Sequence, residues 1–559
     1  MRAEFRRVLR LVSAGLVPLV VAVAGCSAWR ESPVNPSQSP PPMTSSPAPP
    51  SPSAGADPAV RAAATVAKLT DADLVGQVLM PTVNLADPAS ASAALVTRYR
   101  LGGVILMGNV QNTTAGGSAA AVRALTDRLR TAAAELPAAS TGQAGLVVGT
   151  DQEYGWVTRI KSGLVQLPSA MAFGAAARPD LTEAAWRGAG AELAATGIDV
   201  DFAPDADVLG SAGNYVIGSR SYGSDPAAVS AQVAAAVRGL QGAGVGAALK
   251  HFPGHGHTTV NSHEALPVLS QTRASLDAAD LPPFQAGIDA GTWLVMSGHL
   301  DVRAIDPGIP ASFSRKVLVD LLRTRMKFTG VVVSDALNMA PAKRWPPGEA
   351  AVRALVAGND LLLMPPDLAA AHQGLLAGLA NGSLPRTRLV EAATRVLTLK
   401  YRLAAFPRPA LSTVEDAGHR DAALAVAAAA VTVLKGACSG PLVSGGVRIT
   451  ASAGREREAA RLTAALRSLG VPVVTSGGSQ VHLVGYGDGS ADLVGGAAVT
   501  VSMDTPFVLR WSTSPVRIAT YASTEVSLQA LASVLAGKAR APGRSPVAVT
   551  GLPRSACVG

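Results

Sequence analysis

The chain has 559 residues, 48% of them hydrophobic, and carries a formal net charge of +9. Its length exceeds what one hydrophobic core supports and suits two domains plus extensions, and its apolar fraction excludes a wholly disordered chain. No run of Lys and Arg is interleaved with aromatic residues, so we expect no nucleic-acid partner.

Residues 1–25 have the pattern of an export signal. Arg2, Arg6, Arg7 and Arg10 form a basic start, and the apolar run from Leu11 is too short to predict a membrane-spanning helix. This segment holds four arginines and one glutamate, so its removal leaves a formal charge of about +6. We therefore expect an extracytoplasmic protein.

Residues 26–57 consist mostly of Pro, Ser, Ala and Gly. Such a segment cannot bury enough apolar surface to fold, and its prolines favour an extended chain. The composition predicts a disordered linker.

Residues 58–405 contain eight apolar runs that alternate with helical patterns. This alternation predicts a (β/α)8 TIM-like barrel, with a doubly wound open sheet as the alternative. The predicted strands are Val75–Met80, Gly103–Met107, Gly145–Gly149, Ile198–Ala203, Val245–Leu249, Trp293–Met296, Gly330–Val333 and Asp360–Met364.

Polar residues lie just beyond five of these runs. In a barrel the carboxyl ends of the strands meet on one face, where active sites of this fold lie. The pattern therefore predicts a pocket lined by Asp151, Asp205, Asp207, Lys250, His251, His299 and Asp335.

Residues 406–420 are predicted to connect the barrel to a smaller α/β domain, residues 421–559. It should contain helices and strands in alternation, and it holds no dense set of carboxylates or histidines, so we expect a structural or binding role. The predicted helices are Asp421–Ala430, Glu456–Leu469 and Thr524–Leu535; the strands are Val431–Leu434, Val471–Thr475, Val481–Val484, Val499–Ser502 and Val516–Thr520.

Cys438 and Cys557 lie at the two ends of this second domain. In an exported protein we expect them to pair, which would stabilise the fold by about 4–5 kcal/mol in the chain-entropy model. Two unpaired buried thiols are the alternative.

Two motifs carry the chemistry. GVVVSDALNM (330–339) ends a strand in Asp335, a carboxylate that could attack an anomeric carbon or, alternatively, cap the next helix. KHFPGHG (250–256) begins a glycine-rich loop with four histidines. His251, His255 and His257 could be zinc ligands, although their spacing matches no zinc motif; His263 is the fourth.

KHFPGHG followed by Ser-His, together with GVVVSDALNM, resembles the β-N-acetylglucosaminidase branch of glycoside hydrolase family 3. The resemblance spans most of residues 60–403, and supporting stretches are LVVGTDQE, DFAPDADV, IGSRSYG, MSGHL and PASFSRKVLVDLLR. Separately, Val23-Ala-Gly-Cys26 resembles the lipobox of bacterial lipoproteins, which implies that Cys26 carries lipid and anchors the protein to the cell membrane.

The family resemblance implies a role for each matching residue. Asp335 matches the nucleophile and His263 the unusual histidine acid/base. Because an imidazole can both accept and give a proton near neutral pH, that role is chemically sound. The residues that match the sugar-holding positions are Asp151, Arg220, Lys250 and His251. No metal or organic cofactor is implied.

Two departures from the family pattern affect this site. Asn261 stands where the family has an aspartate that orients the imidazole, so weakened catalysis is expected. Tyr154 and Trp156 replace a glycine and an arginine near Asp151, where they would either stack on a sugar or narrow the pocket.

The sequence therefore favours a lipid-anchored, retaining exo-β-N-acetylglucosaminidase that acts on peptidoglycan-derived fragments. Since the acid/base is not an anion, phosphate could replace water as the acceptor. The alternative is a catalytically weakened lipoprotein that binds muropeptide or glycan without turnover.

Overall fold

The computed structural model describes residues 57–84, 89–107, 118–137 and 144–557. The predicted signal peptide, Cys26 and residues 26–56 of the linker lie outside the described residues. Within the described residues, none of the helices combines the length and the apolar composition that crossing a membrane requires.

The first part of the chain forms a barrel of parallel strands. Strands β2, β3, β4, β5, β6, β8 and β10 pair in that order, and β1 pairs with β11. Leu361 bridges Val333 of β10, and only Pro81 separates β1 from β2, so the ring closes. The strands are β1 Leu79–Met80, β2 Thr82–Asn84, β3 Gly103–Met107, β4 Val147–Thr150, β5 Val200–Asp201, β6 Gly246–Phe252, β7 Val268–Leu269, β8 Leu294–Ser297, β9 Asp301–Val302, β10 Val331–Ser334 and β11 Leu362–Leu363.

This closed arrangement confirms the predicted (β/α)8 barrel over the open sheet. Most residues of the ring strands are buried on both faces, as is typical of parallel strands. In β3, for example, Ile105 faces an inner cluster that includes Met80 and Phe202, whereas Val104 and Leu106 belong to the outer core under the helices.

Helices surround the strands. The helix Pro226–Gly242 illustrates why they form: the Asp225 side chain accepts from the Ala228 N–H, and Val229, Val233 and Leu240 are buried along one face. The helices of this part are Pro58–Val66, Asp71–Gln77, Ala89–Tyr99, Ala119–Ala134, Ala170–Ala176, Pro179–Ala195, Pro226–Gly242, Arg273–Ala279, Leu281–Asp289, Pro347–Ala357, Leu368–Asn381 and Arg386–Leu403, with a π-helical segment at Lys316–Arg325.

The predicted strand Val75–Met80 is wrong for most of its length. A capping box, in which the Thr70 and Asp73 side chains each accept from the other's backbone N–H, starts a helix at Asp71 that continues to Gln77. Only Leu79 and Met80 are extended, because the cap outweighs the apolar run.

The second part of the chain forms a five-stranded sheet flanked by helices Ala417–Ala430, Glu456–Ser468 and Glu525–Leu535. The strand order is β12-β16-β15-β14-β13, with only the β12–β16 pair antiparallel. The strands are β12 Thr432–Lys435, β13 Val447–Ala451, β14 Ser479–Val484, β15 Val499–Ser502 and β16 Val516–Ala519.

One predicted strand of this domain is replaced by another. Residues 471–475 make a single bridge, between Val473 and Val447, and are half-buried or exposed. The edge strand β13 lies instead at Val447–Ala451, where parallel pairing with β14 gives its backbone N–H and C=O groups hydrogen-bond partners.

The second domain packs directly on the barrel. The Ser169 hydroxyl donates to the Tyr521 carbonyl at 2.7 Å, and the Ser224 N–H donates to the Pro546 carbonyl. A Cβ on Gly174 would lie 1.7 Å from the Tyr222 carbonyl oxygen, so this barrel helix requires glycine to approach its neighbour.

Cys438 and Cys557 form a disulfide across 119 residues of sequence, with their Cα atoms 5.1 Å apart. We predict that replacing both cysteines by serine lowers the free energy of unfolding of the oxidised protein by about 4–5 kcal/mol, because the unfolded chain regains loop freedom. Urea unfolding measures this loss. Dithiothreitol should destabilise the wild type similarly and leave the double variant unchanged; equal unfolding midpoints of oxidised wild type and variant would contradict the prediction.

Candidate active site

The polar residues expected at the carboxyl ends of the strands converge. Lys250, in β6, places its Nζ 3.0 Å from the Asp151 carboxylate beyond β4. His251 is the next residue of β6, and Asp335 directly follows β10. The parallel barrel therefore brings Asp151, Lys250, His251 and Asp335 to one face.

Glu153 joins the cationic residues of this face. Its carboxylate accepts from Arg220 Nε at 2.7 Å and Nη2 at 2.8 Å, and lies 2.5 Å from Lys250 Nζ. Burial would raise the pKa of Glu153, but Arg220 and Lys250 outweigh it and hold that pKa well below its ordinary value. Glu153 and the neighbouring aspartates in turn raise the pKa values of Arg220 and Lys250, although burial acts to lower them. Glu153, Arg220 and Lys250 are therefore all charged.

Glu153 was not among the site residues predicted from the sequence. Its position could have indicated a role in the site, since it lies two residues beyond Asp151 on the same loop. A carboxylate beside two buried cations is required for charge balance, but the sequence does not show which cations are buried.

Asp207 fixes the orientation of His251. Its carboxylate accepts from His251 Nδ1 at 2.8 Å and from the backbone N–H groups of His251 and His255. His251 Nε2 is thereby left facing Arg220 Nη2 at 3.3 Å. Burial acts to raise the pKa of Asp207, but His251 and these hydrogen bonds lower it overall.

Asp205, Asp207 and His251 place possible metal-ligand atoms within 4.8 Å of one another. The His251–Asp207 hydrogen bond occupies two of these atoms, and the Arg220 guanidinium lies 3.7 Å from Asp205 Oδ2. A second cation there would be repelled by Arg220. The arrangement fits an oriented imidazole.

The zinc alternative requires His251, His255 and His257 to share one ion, but each of these imidazoles has a separate partner. His251 binds Asp207, His255 Nε2 lies 3.1 Å from the Ser262 hydroxyl, and His257 Nδ1 lies 2.8 Å from Asp280. The three rings therefore do not point at one centre.

Asp335 is 8% exposed and lies among histidines. Its backbone N–H donates to the Ser297 carbonyl, and its Oδ1 accepts from the Ala336 N–H at 2.8 Å. Burial alone would raise the pKa of Asp335, but His299, His251, the Ala336 N–H and His263 together bring it below its ordinary value. The group is therefore a carboxylate at neutral pH.

His263 lies on the loop after β6 and is exposed. It approaches Asp335 closely enough to contribute to the lowered pKa of that carboxyl. Asn261 Oδ1 accepts from the His263 backbone N–H at 3.0 Å, and its Nδ2 donates to Glu264 at 2.9 Å. The Asn261 amide thus shapes the turn and does not orient the His263 imidazole.

The two glycines of KHFPGHG allow close packing. Gly254 has φ 129°, and a Cβ there would lie 2.8 Å from the Asp280 Cβ. A Cβ on Gly256 would lie 1.7 Å from the Val208 carbonyl oxygen. Both positions exclude larger residues, which holds the start of the histidine loop against the barrel.

The two aromatic departures have different environments. Tyr154 is 2% exposed and packs edge-on against Trp186, so its ring has no open face on which a sugar could stack. Trp156 is 55% exposed and stacks on Tyr486 of the second domain, with ring centroids 3.6 Å apart.

Comparisons with known proteins agree on one family. Residues 70–399 match the model of the glycosyl hydrolase family 3 N-terminal domain. The chain is 34% identical to β-hexosaminidase A of Pseudoalteromonas piscicida over 61% of this chain and 60% of that protein, less than two thirds of that relative's length. It is also 34% identical to the β-hexosaminidase LpqI of Mycobacterium tuberculosis, over 60% of this chain and 84% of that protein.

Solved structures extend the likeness to the second domain. A family 3 β-N-acetylglucosaminidase from Paenibacillus sp. FPU-7 superposes with a TM-score of 0.76 and 30% identity over 88% of this chain and all of that one. The structure of M. tuberculosis LpqI covers 62% of this chain and 96% of that one, with a TM-score of 0.54 and 32% identity.

We predict that Glu153→Gln destabilises the protein by about 3–5 kcal/mol, because it removes a buried carboxylate that pairs with two buried cations. Urea unfolding measures the loss. The matched control is Glu183→Gln, whose carboxylate pairs with Arg187 and Arg238 at the surface and should change stability by less than about 1 kcal/mol. Equal effects of the two substitutions would show that the buried network contributes nothing special.

Proposed function

The chain belongs to glycosyl hydrolase family 3, and from this membership we propose that it is a retaining exo-β-N-acetylglucosaminidase acting on peptidoglycan-derived fragments. The observation that carries the proposal is the position of Asp335 directly after β10, on the barrel face that also holds Asp151 and Lys250, with His263 on the loop after β6. An anionic nucleophile and a proton-transfer group are the two parts that a double displacement needs.

In the first step the Asp335 carboxylate attacks the anomeric carbon. The bond from that carbon to the aglycone oxygen breaks as a bond to Asp335 forms, and the protonated His263 gives its proton to the leaving oxygen. The lowered pKa of Asp335 keeps the nucleophile ionised at neutral pH.

In the second step the neutral His263 takes a proton from water. As the proton leaves, the water oxygen attacks the anomeric carbon, and the bond between that carbon and the Asp335 carboxylate oxygen breaks. The sugar leaves with its original anomeric configuration, and both groups return to their starting states.

The charged network supplies the sugar-holding groups. Arg220 and Lys250 have fixed donors because Glu153 holds both, and Asp151 offers carboxylate oxygens to hydroxyls. The side chains of Asp151, Arg220 and His251 each expose between 11% and 15% of their surface, so each can contact a ligand at this face.

Asn261 favours a second candidate, a lipoprotein that binds glycan without efficient turnover. Its side chain bonds the loop backbone and Glu264, so it does not stabilise a protonated His263. The two candidates predict different rates with the same ligand.

We further propose that lipid on Cys26 anchors the protein to the outer face of the cell membrane, with residues 26–57 as spacer. The basic start and the lipobox-like sequence before Cys26 support this location.

We predict that Cys26→Ala carries no lipid, so that it is recovered from the medium or as a precursor that keeps its signal segment, whereas the wild type is recovered from the membrane fraction. If Cys26→Ala stayed in the membrane fraction and migrated in gel electrophoresis with the same lipid-dependent mobility as the wild type, lipid on Cys26 would be excluded as the anchor.

We predict that Asp335→Ala lowers turnover of 4-nitrophenyl N-acetyl-β-glucosaminide by at least about 10⁴-fold, because no covalent intermediate can form. Azide should restore part of the rate and give the α-glycosyl azide, identified by NMR, since the azide attacks from the face that the carboxylate leaves. Asp306→Asn, which changes a surface carboxylate bound to Lys316, is the control. Undiminished turnover by Asp335→Ala would remove the proposed mechanism.

We predict that Asn261→Asp raises kcat on the same substrate by about ten-fold or more, because a carboxylate could accept from the imidazole and stabilise its protonated form. Adding Glu264→Gln removes the repulsion that Glu264 would exert on the new carboxylate and should increase the gain. An unchanged kcat in both variants would show that another group orients His263.

A further inference from the structure

A cavity of about 780 Å³ lies between the barrel and the second domain, apart from the residues proposed to hold the sugar. The barrel contributes residues of the loop after β4, including Trp156, Arg159 and Lys161. The second domain contributes residues near the start of helix Glu456–Ser468 and the loop that carries Tyr486. This volume is in the range of sites that bind organic ligands and far exceeds a single inorganic ion.

The cavity has an excess of positive charge. Its cationic lining residues are Arg159, Lys161, Arg420, Arg455, Arg457 and Arg461, and its acidic ones are Glu415, Glu458, Asp504 and Glu525. Burial raises the pKa of Asp504, although its carboxyl group accepts a hydrogen bond from the Ser219 hydroxyl, which acts in the opposite direction. The lining therefore attracts an anion.

Several of these cations lack an acidic partner. Within the part of the chain that the structure describes, Lys161, Arg420 and Arg457 form no ion pair with a carboxylate. Burial, Arg159 and Arg457 together lower the pKa of Lys161, so like charges accumulate there. Such an accumulation is costly unless an anion joins it.

Arg159 connects the cavity to the sugar-holding residues. Its Nη2 lies 3.4 Å from Asp151 Oδ2, whereas its Nε is buried and has no hydrogen-bond acceptor among the described residues. A buried guanidinium N–H without an acceptor is a donor available to a ligand. The cavity and the sugar site thus share a wall.

The stacked pair of Trp156 and Tyr486 forms an aromatic part of the lining. Trp156 remains 55% exposed although one ring face covers Tyr486. Its accessible surface offers apolar contact beside the charged groups.

We propose that this cavity binds the acidic peptide of a cell-wall glycopeptide, a ligand whose carboxylates outnumber its ammonium groups. The inference rests on the proposed function, which brings such fragments to the enzyme. The mixture of signs favours this ligand, because the arginines and Lys161 receive carboxylates while the glutamates receive the ammonium groups. A polyphosphate chain would meet the glutamates with like charge.

Isothermal titration calorimetry on the full chain tests the proposal with the sugar-free tripeptide L-alanyl-γ-D-glutamyl-meso-diaminopimelate. We expect the wild type to bind it and Lys161→Glu/Arg457→Glu to bind it about ten-fold or more weakly, since two attractions become repulsions. Both side chains are at least partly exposed, so the fold should tolerate the change. Lys538→Glu/Arg540→Glu, with the same charge change on exposed residues outside the cavity, should bind like the wild type.

Three outcomes would overturn the proposal. They are absence of binding to the wild type, equal weakening in both double variants, and a glycerol phosphate oligomer that binds as tightly as the tripeptide. The last result would identify the cavity as a general polyanion site.

Turnover of 4-nitrophenyl N-acetyl-β-glucosaminide separates this proposal from the proposed function. This substrate has no peptide, so Lys161→Glu/Arg457→Glu should hydrolyse it at the wild-type rate. A wild type that hydrolyses it but does not bind the tripeptide refutes the cavity proposal alone. Peptide binding by a wild type without turnover refutes the glycosidase proposal alone.

Discussion

The charge balance among Glu153, Arg220 and Lys250 is the constraint on which the site depends. Burying two cations at the carboxyl face of a barrel costs free energy. The Glu153 carboxylate offsets this cost, because it accepts two hydrogen bonds from Arg220 and also contacts Lys250. Since Glu153 holds both donors, they are positioned before a ligand arrives. Asp207 does the same for His251 through a hydrogen bond to Nδ1.

The two residues proposed to carry out the reaction, Asp335 and His263, are held in place to different degrees. Asp335 follows a rigid strand and is anchored by backbone hydrogen bonds at Ser297 and Ala336, whereas His263 is exposed on a loop. Gly254 and Gly256 hold the beginning of that loop against Asp280 and Val208. The structure therefore combines a carboxylate held at the end of a strand with a histidine on an exposed loop.

The second domain contributes surface next to the site. It meets the barrel through the loop after β4, where Trp156 stacks on Tyr486, and through Ser219, next to Arg220. Arg159 then lies between Asp151 and the interdomain cavity.

The sequence by itself determined an α/β architecture of parallel strands, because apolar runs alternate with helical patterns, whereas the closure of those strands into a barrel was decided by pairing between strands remote in sequence. It also located Asp335, Lys250 and His251, since polar residues at strand ends must share one face. Only the tertiary structure decided that Glu153 balances Arg220 and Lys250, that Tyr154 is buried against Trp186 and that Asn261 bonds the loop backbone. The physical reason is that ion pairing, burial and amide orientation depend on distances between residues remote in sequence, which local periodicity does not encode.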